Sequence, residues 1–487
     1  MIEGEGFVLR EDNGGMQDIA ELILAKASNQ PTSYCEARVE KYSNETLNVE
    51  GSLLKSSFNY SSEGVGVRVI ANGAWGFSST TKTDRSSLEE AANSAIKLAR
   101  SAGLKRKKPV KLREMKPNCD DITTPVSMRF RDVDFRDKVN SLIECNKMLK
   151  TSNDVIKTSA TIIGVESSKF IATSDGARVN FRHSLTFGSL LAVGFSSGVS
   201  ESANLEVGGS GGYEAVEPGF LLESSKGVGE RLAHLLLAKP CPTIHRIPVV
   251  MDPSYVALLV HEIIGHPSEA DRVLGWENAL GGSAWWRGML GQQVGSELLS
   301  AVDDGDIEGA LGYTPYDDEA VKCRRTQLIK NGKLVGHIQS RQTAEEFNTD
   351  ALGGMRSFSF SSSPLIRMSN TFILGGDSKN EEIIEETKSG IFVKYFLSPS
   401  IDDRRYRWAV TPQEAYEIKN GEVGELYRDA VVMGIAPDFF KSIDAVGNDV
   451  SIFSITGCGK GDPEQLVCVG NGGPTIRGIA DVVGRGD

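Results

Sequence analysis

Residues 251–267, MDPSYVALLVHEIIGHP, limit the possible folds more than any other stretch of this chain. Asp252 is a good helix N-cap, and Pro253 suits the first helical position, where its missing N–H costs nothing. The run Val256 to Val260, continued by Ile263 and Ile264, is apolar all round rather than along one stripe. Such a helix cannot lie on a surface and has to be enclosed by other elements. The same enclosure must satisfy His261, Glu262 and His266, because polar groups in an apolar interior are costly without partners.

Spacing gives these three residues a second meaning. In H-E-x-x-H, two histidines four apart bind a metal from one helix face and the glutamate serves as general base. HEIIGH puts its second histidine five positions on, about 140° around a regular helix at ~100° per residue. Gly265 permits a non-helical backbone, and Pro267 disfavours helical geometry at His266. Either the helix ends there and His266 swings back, or a wide i→i+5 turn brings the rings together, a distortion that favours functional sites. The alternative is two hydrogen-bonded histidines at a buried helix end. A ligating histidine needs an acceptor on its other nitrogen. Glu269 and Asp271 are candidates, although ordinary acids in a polar loop would read the same way.

The 487 residues exceed what one hydrophobic core usually supports. Two domains are expected, 1–240 and 241–487, with the boundary at KPCPTIHRIP. Hydrophobic residues at 40% and charged residues at 24% suit a soluble globular protein. A net charge of −12 argues against nucleic acid as a main partner, since phosphate binding needs a basic surface. The basic run GLKRKKPVKLR, Gly103 to Arg113, reads as a solvated linker. The seven cysteines are odd in number and lack CxxC spacing, which suits a reducing compartment. The first residues have no apolar core for a signal peptide, and no apolar run approaches the ~20 residues of a membrane span. A cytoplasmic, soluble protein without a membrane partner is the expectation.

Local patterns indicate an α+β chain: an N-terminal α/β domain with antiparallel strands and helices, then a mainly-β domain around the one buried helix. GVGVRVIANGAWGFSST is a hairpin turning at Asn72-Gly73. SSLEEAANSAIKLARSAG is a helix with capping-box spacing at Ser86 and Glu89, ending at Gly103. KPNCDDITTPVS reads as part of a long connection. RFRDVDFRDKVNSLIECNKMLKTS is a second amphipathic helix, followed by strands from about Ile156 to Ser197 that turn at Asp175-Gly176. SSKGVGERLAHLLLAKP is a helix that stops at Pro240. Beyond it, hairpins are expected at Asn331-Gly332 and Asn420-Gly421.

Two histidines do not complete a catalytic zinc site, which usually has three protein ligands and a water. Cys458, among glycines in SITGCGKGDPEQLVCVGNGGPTIRG, is the most suggestive third ligand, because a metal would hold it as thiolate. A small buried residue would read the same way. For an oxyanion, Arg341, Arg356, Arg367 and His337 are candidates, each equally open to a structural role. GNGGPTIRG and LGGM (Leu352 to Met355) offer backbone groups to an extended peptide, or simply turns.

HEIIGHPSEAD, YDDEA (Tyr316 to Ala320), PLIRMSNTFI (Pro364 to Ile373), the terminal CGK…GNGGPTIRG and the first-half EGVGVRVIANGAWGFSST occur here in one order. Together they identify the chain as similar to the TldD/PmbA family, and to its metal-bearing TldD type. The resemblance implies a zinc-dependent peptidase with an H-E-x-x-x-H motif. His261, His266 and Cys458 would be the Zn2+ ligands, and Glu262 the catalytic base. It implies digestion of unfolded peptides in an enclosed dimer site, the dimer being a homodimer or a heterodimer with a metal-free paralogue. The other reading is a non-catalytic partner or scaffold subunit of a TldD/TldE-like complex. The family's glycines around the histidines are replaced here by Ile263, Pro267 and Ala270, bulkier neighbours that bear on substrate access.

Overall fold

Side-chain alternation along one strand, Tyr34–Glu50, organises the first half of the molecule. A computed structural model describes residues 13–277 and 282–484, and its architecture is α+β. Seven strands form one sheet, ordered Ala74–Thr80, Leu53–Ala71, Tyr34–Glu50, Val155–Thr173 and Arg178–Ser196. Cys119–Thr123 and Val199–Ser210 share the outer edge of the last of these. Cys35, Ala37, Val39, Leu47 and Val49 point to one face, as period-two geometry requires. Helices Asn13–Ser28 and Arg85–Gly103 cover one end of that face, and Phe135–Leu149 and Pro218–Leu237 cover the other.

The opposite face carries Glu36, Arg38 and Glu40, all buried. They are buried because the second half of the chain packs there. Asp318 accepts from Arg38 at 3.2 Å and from Lys169 at 2.6 Å. Arg68 bridges Glu36 at 2.9 Å and Glu319 at 2.6 Å. The YDDEA motif is thus the polar seam between the two halves. Its first acid, Asp317, accepts four backbone N–H groups, from Glu319, Val321, Gly354 and Met355. Within LGGM, Gly354 and Met355 therefore spend their N–H groups on Asp317 rather than offering them to a peptide.

The hairpin at Asn72-Gly73 has both residues at positive φ, 51° and 71°, as the sequence predicts. The helix after it begins at Arg85 and is capped by Asp84, whose carboxylate accepts from Ser87 N–H. No Ser86–Glu89 box forms; Glu89 pairs with Lys26 and Arg85. The helix before Pro240 begins at Pro218, upstream of the predicted segment, and the strand Cys119–Thr123 lies inside the expected connection. The basic run is not a free linker. Lys108 pairs with Glu346, and Arg113 N–H donates to the Arg341 carbonyl at 3.0 Å. Lys108 and Arg113 dock against acidic residues of helix Arg341–Phe347, while Lys105, Arg106, Lys107 and Lys111 are exposed, as a solvated linker would be.

In the second half, five strands close on themselves. Ser389–Ile401 pairs with Ile244–Met251, then Ile476–Gly484, Ala430–Ile435, Arg407–Lys419 and back to Ser389–Ile401. Beside this barrel stands a six-stranded sheet in the order Lys333–Leu334, Thr326–Lys330, Ala301–Asp303, Asn370–Ile373, Gln465–Gly473 and Ser451–Lys460. Helix Pro253–Val260 lies between barrel and sheet with every residue buried, in one continuous core with both. The predicted turns at Asn331-Gly332 and Asn420-Gly421 are present, all four residues at positive φ. Short helices Arg341–Phe347, Asn380–Glu385 and Ala436–Ser442 escape the periodicity reading because each is under two turns. Among the described residues no helix is long and apolar enough to cross a membrane.

Candidate metal centre

Asp252 caps the buried helix as expected, its carboxylate accepting from the N–H of Ser254 and Tyr255. The helix then widens. Residues His261–Gly265 form a π turn in which His266 N–H bonds the His261 carbonyl, five residues back. Of the two routes open in the sequence, the wide turn is the one taken. His266 keeps helical dihedrals, φ −57° and ψ −44°, despite the proline after it. Gly265 also stays right-handed, at φ −63°. Its glycine is needed for space instead: a Cβ there would lie 1.9 Å from Met368 Sδ.

The π turn stacks the two histidines edge to face, ring centroids 4.7 Å apart. Cys458 arrives from strand Ser451–Lys460. Ile455 and Cys458, three apart, both point into the core because a bulge at Thr456 and Gly457 opposes two residues to one on the partner strand. Ligand atoms of His261, His266 and Cys458 lie within 4.8 Å of one another, and all three residues are buried. Cys458 Sγ is 3.6 Å from His266 Nε2. Tetrahedral zinc with ordinary Zn–S and Zn–N bonds separates such atoms by about 3.5 Å. The donor set fits zinc in chemistry and in span.

The outer nitrogens are engaged elsewhere, which leaves each Nε2 toward the sulfur. His261 Nδ1 is 3.0 Å from Asn471 Oδ1, and His266 Nδ1 is 3.2 Å from Glu269 Oε2. Glu269 is itself fixed by Arg272 at 2.9 Å and Lys460 at 3.1 Å. Lys460, fully buried, also holds both oxygens of Asp271 at 2.8 Å. Burial alone would favour a neutral Glu269, but Lys460, His266 and Arg272 hold its carboxyl well below the usual range. Burial likewise opposes ionisation of Cys458, yet His261, His266 and Arg367 outweigh it and keep the thiol well below its ordinary value. For His261, burial disfavours the charged ring, while Cys458, Glu262 and Asn471 lift it to about 9.

Glu262 follows His261 in the turn and keeps 8% of its surface exposed, enough for contact with a bound molecule. Arg405 Nη1 donates to its Oε2 at 2.8 Å. A cleft of about 790 Å³ lies elsewhere, between Tyr34, Arg113, Asp175 and Arg341. Its lining includes none of His261, His266 and Cys458.

Three domain profiles of the PmbA/TldA metallopeptidases match this chain: domain 1 over residues 35–99, the central domain over 129–239 and the C-terminal domain over 244–477. A metalloprotease of Methanocaldococcus jannaschii is 31% identical over 92% of this chain and 96% of its own. This chain belongs to the TldD/PmbA family. A zinc metalloprotease TldD homolog of Saccharolobus solfataricus is 26% identical over 85% of this chain and 88% of its own. The crystal structure of TldE from Thermococcus kodakarensis shares the fold, with a TM-score of 0.74 at 16% identity over 95% of this chain and 99% of that one. Relatives across the family are named metalloproteases, which places peptidase chemistry at family level.

Within this TldD/PmbA fold the three candidate oxyanion arginines already donate elsewhere. Arg367 donates to the carbonyls of Gln465, at 2.8 Å, and Cys458. Arg356 donates to Met368 and Cys468 carbonyls at 2.7 and 2.8 Å. These two arginines rivet the Cys458 hairpin to the segment bearing Met368. Arg341 is 2.7 Å from Asp175, on the seam between the halves. His337 lies tilted against Phe347, burial lowers its pKa to about 4, and its Nδ1 is buried without a partner among the described residues. The sequence reading missed Asn471 and Arg405. Asn471 hides in a glycine-rich stretch that reads as a turn and is in fact strand, and nothing in IDDRRYR marks one arginine over its neighbours.

Proposed function

We propose that this chain is a zinc-dependent peptidase acting on unfolded or extended peptides. The observation that carries the reading is the convergence of His261, His266 and Cys458 beside Glu262. His261 and His266 would offer Nε2 and Cys458 its thiolate, with Asn471 and Glu269 fixing the ring orientations. When bound, zinc would polarise a water and the scissile carbonyl. Glu262 would accept a proton from the attacking water at its carboxylate and pass it to the leaving amine nitrogen. Arg405 would hold that carboxylate in place between turnovers. The zinc assignment is supported by the thiolate and imidazole donors, which suit zinc, and by the Saccharolobus solfataricus relative, which is named a zinc metalloprotease. We extend the proposal to a division into domains 1–240 and 241–487, a cytoplasmic location, and an enclosed site in a homodimer or in a heterodimer with a metal-free paralogue.

The test is Glu262→Gln, assayed for zinc content and for cleavage of an unfolded polypeptide. Retained zinc with cleavage lost supports the base. Retained zinc with unaltered cleavage removes Glu262 from the reaction. A native chain that takes up no zinc and cleaves nothing would return the protein to the role of a non-catalytic partner.

A further inference from the structure

Arg405 has more to offer than one hydrogen bond to Glu262. It sits in the turn between Ile401 and Arg407 with φ +59°, a left-handed backbone that a residue with a Cβ adopts at a cost. The turn is over-determined: Tyr406 N–H donates to the Asp402 carboxylate at 2.7 Å, Arg405 N–H to the Asp402 carbonyl at 2.9 Å, and Trp285 N–H to the Arg404 carbonyl at 2.9 Å. These contacts hold the guanidinium over Glu262. Among the described residues only Nη1 has a hydrogen-bond partner. Nε is buried with no acceptor among the described residues, and so is the indole N–H of Trp285, the residue that clasps this turn. Two buried donors without partners around one turn mark a place where an acceptor-rich group belongs, because leaving such donors unpaired is costly.

We infer that Arg405 is a specificity residue that receives a carboxylate of the bound peptide at the edge of the metal centre. A guanidinium meets a carboxylate best in a two-bond fork, and Glu262 takes only one of its five donors. A carboxylate on the peptide would use the free Nε edge and draw the guanidinium off Glu262, releasing the proposed base. That carboxylate is either the peptide's own C-terminus or an acidic side chain near the cleaved bond. The inference rests on the peptidase reading of the site, but its test does not need hydrolysis.

The experiment is equilibrium binding to the full chain held metal-free by a chelator, so that nothing is cleaved. Three short N-acetylated apolar peptides serve as probes: one with a free C-terminal carboxylate, its C-terminal amide, and the amide with one internal Asp. The native chain should bind one carboxylate-bearing probe about tenfold or more tightly than the plain amide, and which probe wins identifies the carboxylate. Arg405→Asn should level the affinities; Asn tolerates the left-handed turn, so the backbone need not move. Arg405→Lys should keep part of the preference. Glu262→Gln, which removes the internal competitor, should widen it. Equal binding of acid and amide by the native chain, or a preference that survives Arg405→Asn, overturns the inference. A uniform loss for all three probes would also overturn it, making Arg405 a support for Glu262 alone. A carboxylate preference in a chain that proves unable to hydrolyse peptides would sink the peptidase reading and leave this one standing.

Discussion

The N–H of His266 bonds the carbonyl of His261 across five residues, and this one bond makes a facing pair of two histidines that a regular helix would splay by about 140°. The turn absorbs the extra residue of HEIIGH without ending the helix. His266 therefore keeps helical dihedrals, and Glu269, three residues on, is in reach of its outer nitrogen. A four-residue spacing would bring the rings together on a plain helix. The wide turn reaches the same end and also packs Gly265 under Met368.

That packing gives the first prediction. Gly265→Ala places a methyl into Met368 Sδ, and overpacking of this kind costs about 1–3 kcal/mol. Thermal unfolding should show the loss, with weaker metal uptake because the turn carries both histidines. Met368→Ala added to Gly265→Ala should recover part of both. If the double variant is no better than the single one, crowding at Met368 is not the reason for the glycine.

Lys460 supplies the second. It is buried and pairs with both Glu269 and Asp271. Lys460→Met keeps the volume but strands a buried carboxylate, and breaking a buried pair from one side typically costs about 3–5 kcal/mol. Denaturant unfolding of the metal-free chain should show that loss. A change within a few tenths of a kcal/mol would mean that Arg272 alone suffices to hold Glu269.

How much of this could be read beforehand depended on whether the determinant was local. Asp252, Pro253 and the apolar run after them dictate a capped, enclosed helix, and the three Asn-Gly turns dictate their hairpins, because each signal lies within a few residues. The pairing of Ile244–Met251 with Ser389–Ile401 and Ile476–Gly484, which completes the barrel, has no such local mark. The buried Glu36, Arg38 and Glu40 look like a solvent face until the partners Asp318 and Glu319 arrive from far along the chain. Cys458 could be picked out as a sulfur among glycines, but the bulge that aims it inward could not. Asn471 and Arg405 act through contacts 210 and 143 residues away in sequence, and no window of neighbours contains that information.

The seam between the halves sets an acid limit on stability. Burial works to raise the carboxyl of Asp318, but Lys169 and Arg38 overcome it and hold the group below its ordinary value of 3.8. A carboxyl depressed in the folded state contributes stability that is complete above its unfolded value and drains away as pH falls toward the folded one. Unfolding free energy should therefore begin to drop below about pH 3.8, and the drop should be shallower in Asp318→Asn. At neutral pH the same variant should be less stable by about 3–5 kcal/mol, because Arg38 loses its buried partner. Parallel acid limbs in the two proteins would show that the seam does not control acid unfolding.

Asn471 provides the sharpest check on the proposed ligand set. Its Oδ1 faces His261 Nδ1 at 3.0 Å, and its amide nitrogen donates to the Thr371 carbonyl at 3.2 Å, which fixes the orientation of the side chain. The acceptor end therefore faces the ring, so Nδ1 donates there and Nε2 is the atom left for a metal once it gives up its proton. Replacing Asn471 with Leu removes the acceptor while leaving His261 and Cys458 in place. Loss of such an outer partner typically weakens metal binding about 10–100-fold, and chelator competition against zinc measures it directly. Asn471→Asp should behave differently, since a carboxylate is the stronger acceptor for a ligating imidazole, while its repulsion from the Thr371 carbonyl should lower the unfolding midpoint of the metal-free chain. Zinc affinity weakened in the Leu variant and maintained in the Asp variant would tie the effect to the His261 hydrogen bond. Affinity unchanged in both would mean that His261 does not present Nε2 to the metal, and the three-ligand site would have to be redrawn.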